Sequence, residues 1–250
     1  MDWSPIARLR DARRAPNLAD YDRACREFSW EQASSLLDGL PGGALNMAHE
    51  AIGRHAAGDA AERRAIRFLA SGAPVHDVTF RQLDESSRRF ASVLARLGVQ
   101  PGDRVATLMG RVPTLYTSVL GTLAAGAVYC PLFSAFGPEP VRSRLELGAV
   151  RVLVTTDLLY RRKVAPVHAT LPGLEHVLVV RTPGAGELPD GTLDFEALLR
   201  EASPRFETVR TPRAAWRPGM RTCPGCASSR RRPSTTHGEC CDRRSRARTP

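Results

Sequence analysis

A chain of 250 residues has room for one or two domains with an ample core. Its start, MDWSPIARLR, is polar and basic and does not resemble a signal peptide, so none is expected. The formal charge of +10 is unevenly placed: residues 211–250 hold ten arginines against Glu239 and Asp242, and the rest of the chain is near neutral. With Lys163 the sole lysine, this arginine bias points to a GC-rich gene rather than to a nucleic-acid surface.

Residues 1–20 carry little periodicity, and 1–27 reads as a loose arm. Phe28, Trp30, Leu36 and Leu37 are available to dock a short helix. Leu40-Pro41-Gly42-Gly43 is a turn. Asn46 is placed to cap a helix running to about His55, with Met47, Ile52 and Ala56 packing. His49 and His55 are six apart and do not share a helical face, so a satisfied or solvated histidine is expected rather than a metal ligand. Residues 65–69 and 75–80 flank Ser71-Gly72-Ala73-Pro74 and read as a hairpin.

The organising stretch is 78–156. Thr79 and Gln82 have capping-box spacing. Leu83, Phe90, Val93, Leu94 and Leu97 then share one helical face. Gly98 suits a left-handed helix end, and Pro101 blocks continuation. Residues 103–109 form an apolar strand. Pro113 opens a second helix with Leu115, Val119, Leu120 and Leu123 as its face, and Gly126 ends it. Residues 127–132 are a second strand, Pro138 starts a third helix bearing Val141 and Leu145, Gly148 ends it, and 150–155 are a third strand. This alternation predicts an α/β fold with a mostly parallel sheet, because parallel neighbours need crossover connections. Residues 112–138 carry no charge and are long enough to span a bilayer. Gly121, Gly126, Pro131 and Gly137 break that run, so a buried helix and strand are expected and no membrane span. Further on, 157–163 is a short helical or turn segment, 176–181 a buried strand, 183–191 a polar loop and 193–202 an amphipathic helix.

The run GDRVATLMGRVPTLYTSVLGTLAAGAVYCPLFSAFGPEPVRSRL (102–145) resembles the N-terminal region of AMP-forming acetyl-CoA synthetases, in the adenylate-forming acyl-CoA synthetase superfamily. GLPGGALNMAHEAIGRHA (39–56) is similar to their N-terminal segment, and the two occur in the family's order. The resemblance covers about 28–208, read as part of the family's large N-terminal domain. It implies a ligase acting on acetate or another short acid with ATP, Mg and CoA, giving acetyl-CoA, AMP and diphosphate, in the cytoplasm. In these synthetases a Phe-Gly-Gly-Phe-like turn after the second strand lies along the CoA channel, and an arginine after the third strand meets the CoA phosphates. The matching positions are Phe133, Ser134 and Ala135, followed by Phe136, and then Arg161. Replacement of both glycines narrows the room for backbone approach. A second family arginine falls at Val164, beside Arg162 and Lys163. Arg161 has the planar fork that suits phosphate, although an exposed arginine near a helix C-terminus reads the same way. The phenylalanines read equally as core residues.

The family's phosphate loop, rich in Ser, Thr and Gly and ending in Pro-Lys-Gly, has no counterpart in these residues, nor does the domain bearing its catalytic lysine. No catalytic residue is therefore assigned, and these residues alone are expected to be inactive and to hold no cofactor. From Thr211 onward Leu, Ile, Val and Phe disappear, and 211–250 is expected to be a disordered basic tail. A shift of reading frame near Thr211 accounts for so abrupt a break. Cys223, Cys226, His237 and Cys240 offer a zinc set as the weaker alternative, since no aliphatic core supports it. Cys25 and Cys130 read as isolated thiols, Cys130 buried in a strand. A non-catalytic module binding CoA or a partner is the second functional reading. A basic, zinc-tethered nucleic-acid adaptor is the third, disfavoured because only Trp216 could stack on bases.

Overall fold

The computed structural model describes residues 18–212 except 70, 71, 73, 183 and 185; Cys223, Cys226, His237 and Cys240 lie outside the described residues. Helix α1 (Tyr21–Glu27) lies within the expected arm and begins at Asp20, whose Oδ1 accepts the Arg23 amide at 2.9 Å. Helix α2 (Trp30–Ser35) begins at Ser29, whose hydroxyl accepts the Gln32 amide at 3.1 Å. The expected docking is not found. Phe28, Trp30 and Leu36 are each more than half exposed, and Phe28 and Trp30 pack edge to face on one another at 5.2 Å. Helices of seven and six residues are too short to present a repeating apolar stripe.

Asn46 opens the next helix as expected, its Oδ1 accepting the Ala48 amide at 2.9 Å. That helix then widens into a π turn over His49–Gly53 before α3 (Arg54–Ala56). The wider turn re-phases the buried face: Ala48 and Ile52 are buried, whereas Met47 is exposed. His49 has a carboxylate partner, with Nε2 2.8 Å from Asp38 Oδ2.

Strands β1 (Arg64–Phe68) and β2 (His76–Thr79) pair antiparallel as the expected hairpin. Arg67, aided by Arg64, grips Asp77 and holds its carboxyl at about 2. Helix α4 (Phe80–Arg96) starts with the complete capping box: Thr79 Oγ1 accepts the Gln82 amide at 3.2 Å, and Gln82 Oε1 accepts the Thr79 amide at 3.0 Å. Leu83, Phe90, Val93 and Leu94 are buried.

Then follow β3 (Arg104–Leu108), α5 (Pro113–Ala124), β4 (Val128–Leu132), α6 (Pro138–Leu147) and β5 (Val150–Thr156). Beyond them lie α7 (Asp157–Leu159), a π turn (Tyr160–Val164), α8 (Ala165–His168), β6 (His176–Val180), β7 (Leu193–Asp194) and α9 (Phe195–Glu201). Strands β3 to β7 form one sheet in the order β4-β3-β5-β6-β7, and every neighbouring pair is parallel. Side chains alternate across it with the strand period of two. Val105, Val152, Val154, Leu178 and Val180 meet α4, α5 and α9 on one face, through Phe90, Leu94 and Phe195. Ala106, Leu108, Leu153, Val177 and Val179 meet α6 and the helix after β5 on the other, through Val141, Leu145, Tyr160 and Val164. The uncharged run 112–138 becomes α5, β4 and a turn, and among the described residues no helix is long and apolar enough to cross a membrane.

Several local expectations are corrected. The most buried side of α5 is Thr117, Ser118, Gly121 and Thr122, while Leu115, Leu120 and Leu123 are partly buried around it. Closeness to α4 is the reason: a Cβ on Gly121 would stand 2.6 Å from the Ser87 carbonyl oxygen and 2.8 Å from Phe90 Cδ1. The hydroxyls stay satisfied inside the helix, Ser118 donating to the Thr114 carbonyl and Thr122 to the Ser118 carbonyl. At the end of α6 Gly148 keeps a right-handed backbone, and Ala149 takes the left-handed conformation with φ 43°. Glycine is needed at 148 for space, since a Cβ there would lie 2.9 Å from the Arg144 carbonyl oxygen. The segment after β5 is longer than expected, running through its π turn to His168. Leu193 and Asp194 pair with β6 before α9 begins. Thr211, placed at the compositional break, is still part of the fold: it exchanges two backbone hydrogen bonds with Leu45, at 2.9 and 3.0 Å.

Glu196 in the first turn of α9 has Oε2 buried with no hydrogen-bond partner. Burial pushes its carboxyl above the ordinary 4.5, opposed in part by backbone amides of Glu196 and Arg181. A carboxyl raised on folding binds extra protons in the native state, so stability falls as pH rises through and above its unfolded value. Glu196→Gln is therefore expected to melt higher than the parent at pH 7 and nearly level with it at pH 4. Thermal melts at both values check this, and a lower melting temperature at pH 7 would contradict it.

Candidate functional site

In an open parallel sheet, ligands bind outside the carboxyl ends of the strands, where the helices after two neighbouring strands leave to opposite faces. Here β3 feeds α5 on one face and its neighbour β5 feeds α7 and α8 on the other. The turn after β4 and the helix after β5 both leave from that edge, and they carry the residues selected from the sequence.

The Phe136 amide donates to the Phe133 carbonyl at 3.0 Å and closes the turn. Its two aromatic residues are divided. Phe136 is partly buried in the second core, with the Arg144 guanidinium 4.1 Å over its ring. Phe133 is 65% exposed and meets Phe136 edge to face at 5.6 Å, so a core role for Phe133 is corrected. Ala135 is exposed. The Ser134 carbonyl accepts a hydrogen bond from Lys163 Nζ at 2.5 Å. This contact ties the turn to the helix across the sheet edge, and it leaves ammonium protons for an anion, since a lysine carries three.

Arg161 stands about half exposed on the same helix. Its Nε donates to the Asp157 carboxylate at 3.1 and 3.2 Å, and Nη2 donates to the Glu187 carbonyl at 2.6 Å. It therefore bridges to the loop before β7 rather than capping its own helix. Val164, at the family's second arginine position, is fully buried in the core. Arg162 is exposed beside it. The geometry thus brings Ser134 and Lys163 into contact and sets Arg161 one residue from Arg162 on an exposed helix.

Two basic residues were not selected from the sequence. Lys163 was noticed only as a neighbour; being the chain's only lysine was its available signal. Arg111 is exposed in the turn between β3 and α5, at the switch point itself, and makes no ion pair among the described residues. Its only signal is its place at the end of β3, which topology supplies and periodicity does not. Cys130 is half-buried in β4, and burial pushes its thiol up, away from reactivity. Among the described residues no cluster of three His, Cys, Asp or Glu is arranged to hold a metal.

A family model described as AMP-binding enzyme matches residues 53–217. An acetyl-coenzyme A synthetase of Bacillus subtilis (strain 168) is 37% identical over 194 residues, covering 76% of this chain and 32% of its own length. Among solved structures, the Brucella canis acyl-CoA synthetase aligns with a TM-score of 0.67 at 33% identity, over 76% of this chain and 34% of that one. Acetoacetyl-CoA synthetase from Streptomyces lividans aligns with a TM-score of 0.60 at 31% identity, over 68% of this chain and 27% of that one. The chain covers 20% to 34% of the length of the relatives and solved structures it matches. With the matched stretch running from the π turn through the whole parallel sheet, the chain belongs to the AMP-binding enzyme family.

Proposed function

We propose that residues 28–208 form part of the large N-terminal domain of an AMP-forming synthetase acting on acetate or another short acid, and that they supply part of its CoA-binding surface. The family reaction joins the acid carboxylate to the α-phosphate of ATP, expelling diphosphate, and the CoA thiol then displaces AMP from the acyl carbon. These residues offer partners to CoA alone: Lys163 and Arg161 provide cationic donors for its phosphates, and exposed Phe133 provides an apolar wall. ATP brings the activating phosphate when bound, but the sequence carries no counterpart of the family's phosphate loop, and no metal-ligating cluster occurs among the described residues. The 250 residues alone are accordingly proposed to catalyse neither step.

The observation that carries this reading is the bond from Lys163 Nζ to the Ser134 carbonyl, which positions the chain's only lysine beside the turn. Calorimetric titration of CoA tests it. Saturable, salt-sensitive binding is expected, weakened roughly tenfold by Lys163→Ala or Arg161→Ala, since a charge-assisted contact to phosphate is about twice as strong as a neutral one. Dephospho-CoA should bind more weakly than CoA. No saturation, or unchanged binding in both variants, would overturn the assignment.

The compositional break is read as a shift of reading frame, supported by the end of the family match at residue 217, close to where aliphatic residues vanish. Sequencing from the codon for Pro204 onward tests it: a second frame encoding a Ser/Thr/Gly-rich loop with Pro-Lys-Gly supports the shift, and its absence overturns it.

A further inference from the structure

The helix after β5 fixes the main chain of Arg161 and leaves its long side chain to be fixed by something else. Tyr160, just before it, is 4% exposed, and Val164, three residues on, is fully buried in the second core. The Tyr160 hydroxyl lies 3.1 Å from His168 Nδ1, which ties the π turn to α8. An arginine side chain carries large rotamer entropy, and a loose guanidinium must give that up when it meets a phosphate.

Two groups already restrain it. Asp157, 13% exposed at the start of α7, takes the Arg161 Nε proton between its two carboxylate oxygens, at 3.1 and 3.2 Å. The Glu187 carbonyl takes a proton from Nη2 at 2.6 Å. Asp157 directly follows β5, and β5 is paired on both sides, to β3 and to β6, so this carboxylate stands on a rigid part of the sheet. Among the described residues Nη1 has no partner, and its two protons stay uncommitted.

We propose that Asp157 is a positioning residue: with the Glu187 carbonyl it holds the Arg161 guanidinium in one orientation, and the uncommitted Nη1 donates to a phosphate oxygen. The ligand in this inference rests on the CoA reading above, whereas the positioning does not. Asp157 also subtracts from the positive charge that a phosphate meets, so Asp157→Asn removes a restraint and a repulsion together. Salt screens the repulsion, which acts over the longer distance, more than it weakens hydrogen bonds in direct contact.

At about 0.3 M salt, calorimetry on the 250-residue chain should therefore find CoA bound roughly fivefold more weakly by Asp157→Asn than by the parent. A folding defect would persist once the arginine is gone, and a positioning effect would not. In the Arg161→Ala background, Asp157→Asn should change CoA affinity no further. A second readout needs no CoA. The Arg161 Nε–H signal, assigned by its loss in Arg161→Ala, should exchange slowly with solvent at mildly acidic pH in the parent and several times faster in Asp157→Asn. Unchanged CoA affinity in Asp157→Asn, an equal loss in both backgrounds, or an Nε–H exchange rate that Asp157→Asn leaves unaltered would each overturn the proposal. If the parent does not saturate with CoA, the CoA reading falls, and the Nε–H comparison decides the positioning by itself. If circular dichroism finds Asp157→Asn unfolded, the parent decides: a protected Nε–H supports the restraint, and exchange at the solvent rate overturns it.

Discussion

Gly121→Val should lower the urea midpoint sharply, by the equivalent of about 3 kcal/mol, the upper end of what overpacking a close contact costs. The argument is one of distance. Helices α4 and α5 approach where Gly121 faces Ser87 and Phe90, and the added Cβ would fall 2.6 Å from a main-chain oxygen and 2.8–2.9 Å from Phe90 atoms. Main chain cannot rotate away as a side chain can, so relief requires α5 to move. Moving α5 opens the core that Phe90 shares with Phe195, whose rings lie 5.2 Å apart. Gly121→Ala gives the finer comparison: helix propensity alone favours alanine by about 1 kcal/mol, yet the same Cβ collides, so it too should destabilise. An unchanged midpoint in both variants would mean that the two helices stand further apart in solution.

The second large effect is expected at Asn46, which is 2% exposed. Its Nδ2 donates to the Leu123 carbonyl at 2.8 Å and the Val209 carbonyl at 3.0 Å, while Oδ1 accepts the Ala48 amide. One side chain thus joins the start of a helix, the end of α5 and the returning segment near Val209. Asn46→Leu keeps the volume and removes these bonds, together with a longer one from the His49 amide to Oδ1 at 3.4 Å. Leaving buried partners unsatisfied costs about 1–3 kcal/mol for each group, and a total near 3 kcal/mol is expected if water reaches some of them. Asn46→Asp retains the acceptor but not the donor and adds a buried charge, so it should be at least as harmful. Hydrogen exchange gives the sharper reading: the Thr211 and Leu45 amides, which bond to each other's carbonyls, should lose protection before the sheet does. Equal protection in Asn46→Leu and the parent would remove Asn46 from this role.

How much of this was legible in the sequence varies with the range of the interaction. The capping box at Thr79 and Gln82 is a relation between residues three apart, and it formed as read. The alternation of strands with helices fixed a parallel sheet, because chain connectivity leaves little choice. The face of α5 was misassigned because Thr117, Ser118 and Thr122 look polar to a periodicity argument, whereas a close helix contact needs small residues whose hydroxyls can bond within the helix. The π turns at His49–Gly53 and Tyr160–Val164 add a residue to a turn without any residue type that announces it. At the candidate site, Phe133, Ser134, Ala135 and Arg161 were reachable only through the family resemblance. The tie from Lys163 to Ser134 joins positions 29 apart, and no local pattern encodes it. Glu196 was passed over because an acid in the first turn of a helix is ordinary; the burial of its Oε2 comes from tertiary packing that no local pattern encodes.

The return of the chain to Asn46 and Leu45 also bears on how this fold is made on the ribosome. Asn46 is synthesised early, but its Val209 partner lies 163 residues later. Until that segment leaves the exit tunnel, the Val209 side chain cannot come against Gly126, where the space for a Cβ is already taken by it. The hairpin and β3–α5–β4 can organise from nearby contacts, whereas final closure waits on one late, distant pairing. The speed at which the residues after 212 are added, pushing this segment out of the tunnel, therefore sets how long the nascent chain carries an open seam along α5.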